Sequence, residues 1–341
     1  TRAYEILSGL VGSEMCIRDR LIPAKDWILE NQSNSGAIFW DEKGKCDPWD
    51  HCECLIALAI YEEWEAFDLG INWFFNNLDQ DGFIPAEFKK EKSISNHFES
   101  HHAPYVAVPL LQSKLIRGTT NMTDKNESNL KEIFNQLAAF KDSEGYYYWA
   151  KNKNNFDDNS LITASMSIFL SIAAYKENPN IVYDPKLWSI KFDRDGIDRS
   201  RFSMDFYYPF LARAKRSKRE FEQLLQEFYV TDLGVKCVKE EPWVTFAETS
   251  ECAIAALLNG NLDIAKLLLK DILQFQNNHG IFPTGYQFKE KIFWPDENST
   301  WTNAAVIIAA HAICRQKDDF ENVFSVLGRS LESNKTFDTI N

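Results

Sequence analysis

Acidic residues in this sequence recur in pairs three apart, each pair opening an apolar stretch. Asp50 and Glu53 precede Cys-Leu-Ile-Ala-Leu-Ala-Ile, and Glu248 and Glu251 precede Cys-Ala-Ile-Ala-Ala-Leu-Leu. A spacing of three puts both members of a pair on one helix face. Capping of a helix start accounts for one acid more easily than for two aimed into an apolar interior. Asp205 lies between Met204 and Phe206, with Tyr207 and Tyr208 next. Carboxylates so placed can act as acid, base or nucleophile. Asp50, Glu53, Asp205, Glu248 and Glu251 are therefore the candidate catalytic groups, each weighed against a structural ion pair to Arg199, Arg201 or Lys236.

Beside them stand residues that could hold a ligand: Trp49, His51, Arg201, Tyr207, Tyr208, Trp243, Tyr286, Trp294 and Trp301. Glu99, His101, His102, Arg199 and Glu297 fall at comparable places, as do Asp157, Asp158 and Asn159, which read more readily as helix caps. His51 also reads as a hydrogen-bonded inner-face residue. His101 and His102 are adjacent and so are expected to point apart, and Cys46, Cys52 and Cys54 contain no C-x-x-C pair. Hence no metal and no cofactor is expected.

The elements that must position these groups are helical. Apolar residues recur at three- and four-residue spacing, which predicts helices near 22–33, 49–64, 65–79, 100–118, 125–141, 158–176, 184–192, 200–215, 217–229, 246–259, 261–277, 299–315 and 318–333. Short and long links alternate, and in an antiparallel array alternate links lie on opposite ends. The long loops therefore gather on one face, and long loops in a compact domain are usually functional. Four of them open on related strings, at Asn31–Trp40, Leu78–Ile84, Lys141–Trp149 and Gln276–Thr284, each with a glycine (Gly36, Gly82, Gly145, Gly280) a few residues after a helix. Such glycines suit a left-handed turn, and a recurring hairpin unit implies a solenoid or a closed ring. The second helix of each pair is apolar nearly all round, as an inner ring requires. The expectation is an all-α fold, an (α/α)6 toroid of six helical hairpins with its chemistry at the N-terminal ends of the inner helices.

A net charge of -13 argues against nucleic acid and anionic membrane as partners. The short basic run around Lys215–Arg219 reads as a solvated helix face. No apolar stretch is long enough for a membrane span. Seven cysteines without a paired framework suggest a reducing, cytoplasmic setting. Thr1–Arg20 contains Ser-Gly-Leu-Val-Gly-Ser-Glu-Met-Cys-Ile-Arg-Asp-Arg, which resembles a translated sequencing-adapter string. It is expected to lie outside the fold, with one domain over 21–335 and a tail over 336–341. The oligomeric state is not legible.

The repeated Q-x-x-x-G-x-aromatic string resembles a degenerate motif of terpene cyclases and prenyltransferases, and the hairpin arrangement is similar to six-hairpin glycosidases. Asp47–Glu53, Arg201–Pro209, Leu233–Glu251 and Phe293–Thr302 look like bacterial proteins labelled prenyltransferase-like. Three readings follow. In the first, a carbohydrate-active enzyme uses Glu248 or Glu251 as proton donor facing Asp50 or Asp205 as base, with aromatic faces holding an oligosaccharide. In the second, an isoprenoid is handled. There the stretch Asp41–Leu55 resembles the segment of prenyltransferase β-subunits that supplies a zinc-binding histidine, and His51 is the matching residue. The Asp-x-Cys pair of that family and the Asp-x-Asp-Asp of class II cyclases have no counterpart; Asp193 and Asp195 do not fit. In the third, the toroid mouth is a non-catalytic binding surface, and its acids are paired with bases.

Overall fold

Alternation of short and long links becomes, in the computed structural model of the chain, a helix array with two unlike ends. The structure describes residues 14–152, 155–156, 159–176, 198–314 and 322–330. Asp157, Asp158, Asp193, Asp195 and the helix expected at 184–192 lie outside them.

The helices in chain order are α1 (Glu14–Arg20), α2 (Ile22–Glu30), α3 (Pro48–Ile60), α4 (Trp64–Asn76), α5 (His102–Tyr105), α6 (Ala107–Arg117), α7 (Asp124–Gln136), α8 (Ile162–Lys176), α9 (Ser203–Leu211), α10 (Lys218–Phe228), α11 (Phe246–Leu258), α12 (Leu262–Leu273), α13 (Thr300–Cys314) and α14 (Val323–Ser330). Among the described residues, α3 packs on α6, α6 on α8, α8 on α9, α9 on α11, α11 on α13, and α13 back on α3. That cycle explains the sequence pattern: a helix enclosed on all sides has no face to leave polar. In α3 every residue but Asp50 is buried. In α11 only Leu257 and Leu258 are not, and in α13 only Cys314. The helices outside the cycle carry stripes instead. In α10, Phe221, Leu225 and Phe228 are buried and the charged residues face out.

The four repeated glycines all adopt left-handed φ, from 78° to 106°. Each closes the same turn, in which the glycine N–H donates to the carbonyl three residues back: Gly36 to Ser33, Gly82 to Asp79, Gly145 to Asp142 and Gly280 to Asn277. At Gly36 a Cβ would lie 2.2 Å from the Leu69 carbonyl oxygen, so only glycine fits where this loop presses on α4.

Beyond the turns the long loops pair with one another in short strands that the sequence reading did not foresee, while the fold stays helix-rich. β1 (Lys45–Cys46), β2 (Phe88–Lys89) and β3 (Lys92–Ser93) form one antiparallel sheet, and β4 (His97–Glu99), β5 (Ala150–Asn152) and β6 (Asn155–Phe156) another. β7 (Tyr229–Val230) pairs with β8 (Gly234–Val235), and β10 (Gly285–Gln287) lies between β9 (Trp243–Thr245) and β11 (Ile292–Phe293). The first and last loops meet where Thr300 N–H donates to Trp40 O at 2.9 Å. The strands are two or three residues long, too short for a period-2 signal.

Two further differences have simple causes. The helix expected over 100–118 is two, because Pro109 has no N–H for the Tyr105 carbonyl. Residues 14–20, set apart in the sequence reading, form α1, where Ile17 is buried and Arg20 donates to the Leu273 carbonyl and to Gln276. No helix among the described residues is long and apolar enough to cross a membrane.

Candidate active site

Helix α3 begins with Asp47 as its N-cap and Pro48 in the first turn, both favoured there. The Asp47 carboxylate accepts from the backbone N–H of Trp49 at 2.8 Å and of Asp50 at 3.3 Å. Because Asp47 does the capping, the Asp50 carboxyl is released from that role. Asp50 is half-buried at the mouth of the helix cycle. Burial, and then the charge of Asp47, push its carboxyl well above the usual range; Glu53 and Glu251 add to this and Lys45 opposes it. One turn deeper, Glu53 is buried and accepts the Tyr105 hydroxyl at 2.5 Å. Burial raises its carboxyl to about 7 against that hydrogen bond.

The same arrangement recurs on α11. Thr245 is the N-cap residue, so Glu248 stands three residues into the helix, as Asp50 does after Asp47. Glu251 then matches Glu53. Both α11 acids are buried. Glu251 accepts the hydroxyls of Tyr207 and, at 3.0 Å, of Tyr208. Burial and the charge of Glu53 raise its carboxyl well above the usual range, and burial raises Glu248. Two inner helices thus each present an outer and an inner acid, and the inner acids rest on buried tyrosines from α5 and α9.

Aromatic rings flank the outer level. Trp49 lies 5.2 Å from Tyr105, 6.5 Å from Tyr208 and 6.0 Å from Trp301, between ring centroids, and Trp301 lies 5.7 Å from Trp40. The indole N–H groups of Trp49 and Trp301 are buried with no hydrogen-bond partner. Unsatisfied buried donors are rare and call for an explanation, such as a ligand acceptor. The Trp40 indole is by contrast bonded to Glu297 at 3.0 Å, and Glu297 also accepts the Thr284 hydroxyl at 3.3 Å.

Other residues singled out in the sequence fall elsewhere. Asp205 is held by the Arg199 guanidinium through contacts of 2.5 and 3.2 Å, the ion pair weighed for it from the sequence. Arg201 pairs at the surface with Glu240. His51 is fully buried: its Nδ1 accepts from the Ile38 N–H at 3.1 Å and its Nε2 donates to the Gly70 carbonyl at 3.1 Å. Burial lowers its pKa to about 4. With both nitrogens engaged, His51 joins the first loop to α4 and has none left for zinc or ligand. Tyr286 packs at a tilt against Phe275 and Phe293, on the opposite side of β10 from Gly285 and the Trp243 ring that covers it. Trp243 and Trp294 pack edge to face at 4.8 Å on the rim, with Trp294 half exposed.

Two contributors, Tyr105 and Trp40, were missed. Tyr105 sits inside an apolar stretch whose break at Pro109 was not foreseen. Trp40 and Glu297 are joined only by closure of the chain ends. Glu99, His101 and His102 also converge, contrary to the expectation that the histidines diverge. Their rings lie 4.5 Å apart, and both Nε2 atoms face Glu99 Oε2, at 3.7 and 3.5 Å. Divergence of neighbours is a strand rule. His101 has helical backbone at the start of α5, where successive side chains are about 100° apart.

Comparison with known proteins agrees with this architecture. The chain is 28% identical over 302 residues, 84% of each protein, to an MMP endo-(1,4)-3-O-methyl-alpha-D-mannosidase of Mycolicibacterium hassiacum. Among solved structures it is similar to a D-mannose isomerase (TM-score 0.70, 12% identity, 90% of this chain and 99% of that one). It is also similar to the cellobiose 2-epimerase of Spirochaeta thermophila (TM-score 0.63, 12% identity, 88% and 97%). No family model matches the chain. The fold is therefore that of helical sugar-processing enzymes, and the resemblance to prenyltransferases and terpene cyclases finds no support in these matches.

Proposed function

We propose that this chain is an (α/α)6-toroid glycoside hydrolase that cuts within α-linked, mannose-type glycans. The observation that carries the proposal is the repeated acid pair. Asp50 and Glu248 occupy matching first-turn positions on two inner helices, and Asp50 is the one residue of α3 that is not buried. The mannosidase relative supports the substrate class, since the similarity spans most of both chains.

The environments divide the roles. Asp50 is raised by burial and by three neighbouring acids, whereas Glu248 is raised by burial. Asp50 therefore keeps its proton to higher pH and acts as the general acid on the glycosidic oxygen; Glu248 is the base or nucleophile. This reverses the assignment made from sequence alone. Glu53 and Glu251 lie one turn below, where their charge helps keep Asp50 protonated. The Trp49 and Trp301 rings present flat apolar faces, and their free N–H groups suit sugar oxygens.

The test is incubation with α-(1,4)-linked 3-O-methylmannan, unmethylated α-mannans and α-glucans, with product sizes and reducing ends followed over time. Internal cleavage of a mannose-based polymer is expected. Release of monomers only, or cleavage of glucans alone, contradicts the proposal.

A further inference from the structure

We infer that Glu99, His101 and His102 form a binding site for a divalent transition-metal ion of the zinc class. The ligand atoms are Glu99 Oε2 and the two Nε2 atoms. The Nε2 atoms of His101 and His102 stand 3.7 and 3.5 Å from Glu99 Oε2, and one ligand atom from each of the three residues lies within 4.8 Å of the other two. These separations exceed hydrogen-bonding distance. They are close to the edge of a ligand tetrahedron: with metal–ligand bonds of about 2.0–2.1 Å, ligands sit about 3.3–3.4 Å apart. Both Nε2 atoms thus face one carboxylate oxygen at ligand-to-ligand spacing rather than hydrogen-bonding to it.

Independent features agree. His102 is 2% exposed, and the Nε2 atoms of both histidines face Glu99 while their Nδ1 atoms are buried without a hydrogen-bond partner. Glu99 is oriented by the Trp149 indole N–H at 3.0 Å on Oε2, an outer contact typical of a ligating carboxylate. His97 Nε2 is 3.8 Å from Glu99 Oε1, on the other oxygen. Asp47 Oδ1 is 3.8 Å from His102 Nε2, which sets the site against the cap of α3. Two histidines and one carboxylate leave a coordination position for water or a substrate hydroxyl. The inference does not depend on the glycosidase reading.

The full chain, stripped with chelator, is titrated with Zn²⁺ and separately with Co²⁺. Expected are one ion bound per chain, a low-coordinate Co²⁺ spectrum without thiolate charge-transfer bands, and Zn²⁺ affinity at least about a hundred-fold weaker in the H101N/H102N variant. Should that variant not fold, the Co²⁺ spectrum of the unaltered chain decides. Absence of stoichiometric uptake at micromolar metal, thiolate bands, or unchanged affinity in the folded variant overturns the assignment.

Discussion

Asp50 and Glu53 differ by one helical turn, and in the proposed mechanism that turn separates the group that faces substrate from the one that tunes it. General acid catalysis by Asp50 requires its proton, so activity falls as pH rises through its pKa. Glu53→Gln removes a like charge from Asp50 and lowers that pKa. The alkaline limb of the kcat/KM profile is expected to move to lower pH in E53Q, and an unmoved limb argues against the coupling. The same substitution affects stability. The fold raises Glu53 from 4.5 to about 7, so it binds the proton more tightly when folded. Its contribution is complete below about 4.5 and is lost as pH rises towards 7, on the order of 3 kcal/mol. Urea unfolding at pH 5 and pH 8 should show a smaller pH difference for E53Q than for the unaltered chain. At Trp301, W301F keeps a ring and removes the free N–H. A rise in KM of roughly five- to ten-fold with little change in kcat is expected, the size of one hydrogen bond.

Loop turns and caps set where these side chains stand. Gly36 and Gly82 both have left-handed φ, but a Cβ at Gly36 meets backbone at 2.2 Å whereas at Gly82 the nearest atom is 3.6 Å away. G82A should cost about 1–2 kcal/mol, and G36A clearly more, as measured by thermal unfolding; equal losses contradict the close approach. Much of this scale was legible. The glycine strings announced the turns, the three-residue spacing announced both acid pairs, and all-round apolar patterning announced the inner helices. What stayed hidden depended on contacts distant in sequence. The β2–β3 turn uses Lys90 and Glu91 with positive φ, where no glycine or asparagine gives it away. Asp205 reads like the other acids until Arg199 is seen to hold it.

At the scale of the molecule, the closed cycle of inner helices makes the acid pairs meet. The α3 and α11 pairs are nearly two hundred residues apart in sequence, yet both helices pack against α13, which carries Trp301 in its first turn. The central claim is that Asp50 and Glu248 do the chemistry. It is tested most directly by steady-state kinetics of D50N and E248Q on the polymer that the unaltered chain cleaves. Each is expected to lose about 10²–10⁴-fold in kcat while unfolding at a temperature near that of the unaltered chain. A folded D50N or E248Q variant that keeps near-normal kcat contradicts the account.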